Sequence, residues 1–172
     1  YYFYDLNLKA NYIFSDRDRL FLSGYFGRDV FTFRSGTRTF DADIPWGNAT
    51  ATLRWNHIFS KKLFSNTSII YNDYRFSFSG TQNNFEITFK SGISDVNGKL
   101  DFDYFASFNH RIRFGGNYIY HRFTPYSISG RQDSTNFTPD NAYRKYAHEA
   151  ALYLMDDWEL SPQLKLNIGI RY

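Results

Sequence analysis

Apolar and polar positions alternate with a period of two at both ends of the chain. Tyr4, Leu6, Leu8, Ala10, Tyr12 and Phe14 fall on one face, with Asp5, Asn7, Lys9 and Asn11 on the other. Leu164, Leu166, Ile168, Ile170 and Tyr172 likewise oppose Lys165, Asn167, Gly169 and Arg171. Period two is the pleat of a strand with one buried or lipid-covered face, and no helix produces it. The same split recurs between these ends. Ala49, Ala51, Leu53, Trp55 and Phe59 oppose Asn48, Thr50, Thr52, Arg54 and Asn56, interrupted by His57. Leu100 to Ala106, Ile112 to Tyr120 and Ala150 to Trp158 repeat it. In Arg19 to Phe33 and Leu63 to Phe78 apolar residues fall on both faces, which predicts a bulge or a protein-covered stretch. Within 79–106, Asp95-Val96-Asn97-Gly98 reads as a tight Asn-Gly turn or as a bulge in one long strand from Phe85 to Ala106, and that long strand is the reading adopted.

Short and long breaks alternate. The short ones are Ser15 to Asp18, Ser60 to Lys62, Asn109-His110 and Ser161 to Gln163, so a hairpin returns about every fifty residues. The longer ones are Arg34 to Pro45, Ser79 to Asn84 and Pro125 to Tyr146. This is the layout of an up-and-down antiparallel meander.

Composition narrows the class. Aromatic residues make up 22% of the 172 residues, hydrophobic residues 42%, and mean hydropathy is −0.53. That content is too apolar for a disordered chain, yet no run approaches the roughly 20 apolar residues of a spanning helix. There is no cysteine, which removes disulfide frameworks, thiolate metal sites and cysteine nucleophiles. Lys+Arg 20 against Asp+Glu 17, evenly spread, gives no nucleic-acid stripe. The chain starts Tyr1-Tyr2-Phe3-Tyr4 without initiator Met or signal peptide, so a processed or partial chain is expected.

Alternating strands with one apolar face, one face of mixed charge and aromatics toward the strand ends are the pattern of a transmembrane β-barrel. A soluble sandwich or lipocalin-like barrel alternates too; the long clean runs and the short/long alternation of breaks favour the membrane. The expected fold is all-β, an antiparallel up-and-down transmembrane barrel of about eight strands in this chain. Because the first and last breaks are both short, both chain ends fall on the long-loop side. An open sheet would leave unpaired edges in lipid, so residues 1–172 are expected to be an internal part of one larger barrel domain.

The stretch Lys90 to Pro125, with Lys-Ser-Gly-Ile-Ser-Asp, Gly-Lys-Leu-Asp-Phe-Asp-Tyr-Phe, His110-Arg111-Ile112-Arg113-Phe114-Gly115 and His121-Arg122-Phe123-Thr124-Pro125, resembles the barrel of TonB-dependent outer-membrane receptors of the kind common in Bacteroidetes. Tyr146 to Tyr153, Asp156-Asp157, Leu160-Ser161-Pro162 and the closing strand to Tyr172 fit the same pattern. The resemblance implies a bacterial outer-membrane location and a barrel of about 22 strands around an N-terminal plug, both plug and remaining strands lying outside this chain. It also implies energy-coupled uptake of a scarce nutrient of siderophore, glycan or peptide class. The partners it implies are the lipid bilayer and an inner-membrane coupling protein that acts through the plug, and a surface lipoprotein is a partner such receptors can have. Ligand contacts in such receptors come from the plug and outer loops, so no ligand residue is assigned here. A small complete barrel of structural or adhesive role and a barrel enzyme are the alternatives.

Site chemistry is sparse. His57, His110, His121 and His148 share no metal-ligand spacing and read as scattered strand histidines. Asp41-Ala42-Asp43 lacks the further oxygens of a calcium loop and reads as solvated loop. Asp101 and Asp103 share a face with Lys99, as a salt-bridged wall would, and Asp156-Asp157 forms no recognisable acid/base pair. No helix pattern follows Phe114-Gly115-Gly116-Asn117, so it is no phosphate loop, and the Asn136-Phe137-Thr138 sequon carries no meaning in a bacterial barrel. No catalytic, cofactor or metal residue is assigned, no cofactor is expected, and an enzyme is not.

Overall fold

A computed structural model describes residues 1–36, 40–132, 135–137 and 143–172. They form one antiparallel sheet of β1 (Tyr2–Ile13), β2 (Asp18–Arg34), β3 (Asp41–Ile58), β4 (Leu63–Gln82), β5 (Phe85–Phe105), β6 (His110–Gln132), β7 (Thr135–Phe137), β8 (Lys145–Ser161) and β9 (Leu164–Arg171). Each long strand pairs with the next in sequence, and the short β7 pairs only with β6. This is the meander that the alternating breaks predict, with eight long strands.

The strands are longer than the sequence pattern suggests. β4, β5 and β6 run 20, 21 and 23 residues, where a tilted membrane strand needs about ten. The surplus lies at the ends away from the short turns, so most of the expected long loops are paired strand. Asp41 to Pro45 belongs to β3 and Pro125 to Gln132 to β6, while the break Ser79 to Asn84 shrinks to a turn at Asn83, which has φ of 52°. Polar composition at these positions reflects water on both faces of a ladder, which period and turn residues alone cannot distinguish from a loop.

β5 is one continuous strand, as adopted above, but its irregularity lies elsewhere than Asp95 to Gly98. The β5/β6 register slips between Lys90 and Gly92, opposite Pro125, and Ser91 Oγ donates to the Thr124 and Pro125 carbonyls at 3.2 and 2.8 Å. The bulge expected in Arg19 to Phe33 or Leu63 to Phe78 is absent, since the β2/β3, β3/β4 and β4/β5 registers hold throughout.

The register sorts side chains into two faces. The outward face carries Leu6, Phe26, Ala49, Leu53, Ile69, Leu100, Leu152 and Ile170. Leu6, Leu152 and Ile170 are 68%, 68% and 72% exposed, and among the described residues the only buried apolar ones are Val30 and Ala42. Among the described residues no second sheet packs on these strands, as a sandwich would require. Such a surface is stable against hydrocarbon and an aggregation hazard in water. Aromatics bound it at two levels. Phe14, Trp55, Phe59, Phe102 and Trp158 lie near the short turns, and Tyr4, Phe26, Tyr71, Tyr118 and Tyr172 lie about ten to twelve residues along. At about 3.3 Å per residue and a tilt near 40°, ten residues climb about 25 Å, the height of a lipid-facing band.

Beyond the upper aromatic level the polarity of the two faces reverses. Arg28, Asp73, Arg75 and Arg122 now point outward, while Trp46, Phe76, Phe89 and Phe123 line the inward face. This reversal, and no bulge, is what blurs β2 and β4 in the sequence.

Candidate functional site

Near the short turns the inward face is an ionic ladder. Lys99 pairs with Asp101 at 2.9 Å, Arg111 with Asp103 at 2.6 Å and Arg113 with Asp157 at 2.9 Å, the last carboxylate also accepting from Asn167. Tyr153 Oη adds a 2.6 Å hydrogen bond to Asp101 from two strands away. The salt-bridged wall expected for Lys99, Asp101 and Asp103 is therefore present. Asp156 and Asp157 do not act together, because adjacent strand residues face opposite ways: Asp157 joins the inward ladder and Asp156 bonds His110 outside.

Above the ladder the inward face carries a part-buried polar cluster. In the row Asn72, Asp95, His121, the His121 Nδ1 is hydrogen-bonded to Asp95 Oδ1 at 2.6 Å. Its Nε2 lies 3.5 Å from Glu149 Oε1 and is buried without a hydrogen-bond partner. Phe123 stacks on the His121 ring at 5.5 Å. The next rows outward are Asn48, Tyr74, Ile93, Phe123 and then Asp29, Trp46, Phe76, Ser91. Tyr1 stacks on Trp46 at 6.4 Å and donates to Asp29 Oδ1 at 2.5 Å. The Asp29 carboxylate, as acceptor, raises the Tyr1 phenol above its ordinary pKa. An aromatic shelf over a single imidazole flanked by two carboxylates can hold a ligand with flat apolar faces and a few polar groups.

The other sequence-singled residues are held for structure. His57 bonds Asp18 at 2.6 Å and packs on Trp55, whose Nε1 donates to the same carboxylate at 3.0 Å. His110 repeats this with Asp156 at 2.6 Å and a stacked Trp158. His148 bonds Tyr118 Oη at 2.6 Å. Asp41 and Asp43 are the opening residues of β3, with Arg34 forked onto Asp43 at 3.0 Å, and not a solvated loop. Phe114 to Asn117 is uninterrupted β6, and Asn136-Phe137 lies in β7 with Thr138 outside the described residues. Among the described residues no three His, Asp or Glu side chains are placed to hold a metal ion. The partners of the histidines come from neighbouring strands, so no spacing along one strand discloses them. The inward aromatics of β3 to β6 were missed because the polar face was expected to stay polar along the whole strand.

No curated protein sequence matches the chain. Among the solved structures that share its fold are two receptors. The ferric yersiniabactin uptake receptor FyuA of Yersinia pestis superposes with a TM-score of 0.69 at 13% identity, over 98% of this chain and 27% of that one. BauA, the ferric preacinetobactin receptor of Acinetobacter baumannii, gives 0.59 at 11%, over 98% and 33%. The chain thus spans about a third or less of these receptors. The model of the TonB dependent receptor-like beta-barrel family matches residues 1–172, so with its lipid-facing band, two aromatic levels and meander topology the chain belongs to the β-barrel family of TonB-dependent receptors of the outer membrane.

Proposed function

We propose that residues 1–172 form eight strands of a larger receptor barrel that closes around a plug and takes up a scarce nutrient, driven by an inner-membrane coupling protein. β1 and β9 each pair on one side only among the described residues, and lipid does not tolerate an open ladder, which supports further strands at both edges. The ligand class we favour is a ferric siderophore with aromatic groups. The observation that carries it is the inward shelf of Trp46, Tyr74, Phe76 and Phe123 above His121, on the outer side of the lipid-facing band. Each good aromatic stacking contact is worth about 0.5–1.5 kcal/mol beyond area burial, so a shelf of several suits planar phenolic or heteroaromatic rings. The two receptors of similar fold are named for ferric siderophores, in keeping with this reading.

The test titrates the intact receptor with a ferric catecholate or phenolate chelate and follows tryptophan fluorescence. Quenching that Trp46→Leu abolishes, with affinity lowered roughly tenfold by Phe76→Ala, is the expected result. A glycan or peptide that quenches where ferric chelates do not would overturn the ligand class while leaving the barrel intact.

A further inference from the structure

The outward face carries a basic cleft directly above the lipid-facing band, which the uptake function does not use. One row across five strands reads Arg28, Gly47, Arg75, Gly92, Thr124. The glycines open the floor to backbone: a Cβ at Gly47 would come within 2.9 Å of the Gly27 carbonyl oxygen, and one at Gly92 within 2.8 Å of that of Tyr74. The row below places Arg122 beside Ser94 and Asp73, with a 3.2 Å hydrogen bond from Arg122 to Ser94 Oγ. The cleft has a volume of about 790 Å³, and Lys90 and Arg144 complete its walls. Five cations thus surround one carboxylate, and that carboxylate, Asp73, is already held by Arg75 at 2.6 Å. Arg28, Lys90, Arg122 and Arg144 have no carboxylate partner among the described residues. Four exposed cations without a carboxylate partner, three of them guanidiniums, around a backbone floor offer a site to an anion of high charge density, and phosphate fits Arg forks best.

Height decides the source of that phosphate. Arg28, Arg75 and Arg122 lie about twelve to fifteen residues from the short turns, roughly 30–38 Å up, at the outer margin of the apolar band. About 15 Å lower on the same face is a second groove, of about 850 Å³, opened by Gly98 and Gly116 and walled by Ile69, Leu100, Tyr118 and Leu152. Its outward-facing lining is apolar and lies within the upper half of the band. A phosphate cleft stacked over an acyl groove matches one molecule that carries both groups. We infer that this face binds a phosphorylated glycolipid of the outer leaflet, its phosphate between Arg28, Arg75 and Arg122 and an acyl chain against Gly98 and Gly116. The inference rests on the outward face meeting lipid and is independent of what the lumen carries.

The test is native mass spectrometry of the intact receptor in detergent with phosphorylated lipid A, dephosphorylated lipid A and inorganic phosphate. A retained adduct with phosphorylated lipid A, weakened roughly tenfold or more on dephosphorylation and in Arg28→Gln/Arg122→Gln, supports the site, with the inward Lys165→Gln as unchanged control. Equal retention of both lipids, full retention by the double variant, or displacement of lipid A by millimolar inorganic phosphate overturns it. Heat-modifiable migration checks that the variant barrel is folded. If the double variant fails that check, Arg28→Gln alone carries the same expectation, because Arg28 has no side-chain partner to lose.

Discussion

Tyr153 on β8 reaches across Gly115 on β6 to donate a 2.6 Å hydrogen bond to Asp101 on β5. The register places Asp101, Gly115 and Tyr153 in one row, so the ring lies over the bare glycine between the strands it ties together. A Cβ at Gly115 would sit 2.1 Å from the Leu100 carbonyl oxygen, a backbone atom that cannot step aside. Gly115→Val is therefore expected to destabilise the barrel more than Tyr153→Phe, which loses one hydrogen bond to a carboxylate, worth about 1.5–3 kcal/mol at most in this partly exposed setting. The denaturant midpoint of heat-modifiable migration of the intact receptor ranks the two variants. A Gly115→Val barrel as stable as the parent would show that the three strands do not approach this closely.

The two Asp–His–Trp groups at the lower aromatic level make a second prediction. Asp18 bonds both His57 and Trp55 of the adjacent strand, while Asp156 bonds His110, on whose ring Trp158 stacks. Each ties an aromatic anchor to a strand end where the bilayer meets water. Asp18→Ala removes the common partner of Ser15, Trp55 and His57, and a lowered denaturant midpoint is expected. Asp16→Ala, in the adjoining turn, serves as the control and is expected to change little. Equal midpoints for the two variants would show the group to be ornamental.

How far these relationships were readable from sequence differs by element. Leu6 and Ile170 disclosed their face at once, because a run of period two needs no knowledge of neighbours. The Lys99, Asp101, Asp103 wall was legible for the same reason: its members alternate along one strand. His57, His110 and His121 were legible only as strand positions, since each partner lies 26 to 46 residues away and register decides the pair. The shelf of Trp46, Phe76 and Phe123 was hidden by the reversal of polarity above the band. An apolar residue beside Arg75 or Arg122 looks like a broken pattern until the membrane's height is known.

The tip of the β2/β3 hairpin gives a pH dependence. Arg34 forks onto Asp43 at 3.0 Å and the Thr32 hydroxyl donates at 2.8 Å, well beyond the lipid band. Partial burial works to raise the Asp43 carboxyl, but these donors outweigh it and hold it below the ordinary carboxylate value. A carboxylate lowered in the folded hairpin stabilises it above the unfolded value, near 3.9, and that contribution is lost as pH falls through the folded value. Hydrogen exchange of amides flanking Arg34 and Asp43 is expected to stay protected from pH 7 to about pH 5 and to open below about pH 4. In Asp43→Asn the protection should no longer depend on pH; opening that persists unchanged in Asp43→Asn would place the cause elsewhere.

The division of the wall into a lipid face and a lumen face is tested most sharply on β9, where neighbouring residues carry opposite expectations. Leu166 pairs with Trp158 on the outward face, while Asn167 donates to Asp157 in the inward ladder. Single cysteines at the two positions, with residues 1–172 free of native cysteine and any cysteine elsewhere in the receptor replaced, should label in opposite senses. In intact outer membranes a lipid-soluble maleimide is expected to modify Leu166→Cys and a charged, water-soluble thiosulfonate to modify Asn167→Cys. If a plug fills the lumen, the second label slows but its preference for water remains, because the ladder around Asp157 is polar whatever stands against it. Equal access of the water-soluble reagent to both would mean that the band from Leu6 to Ile170 does not meet hydrocarbon, and the outward lipid cleft above it would fall with that result.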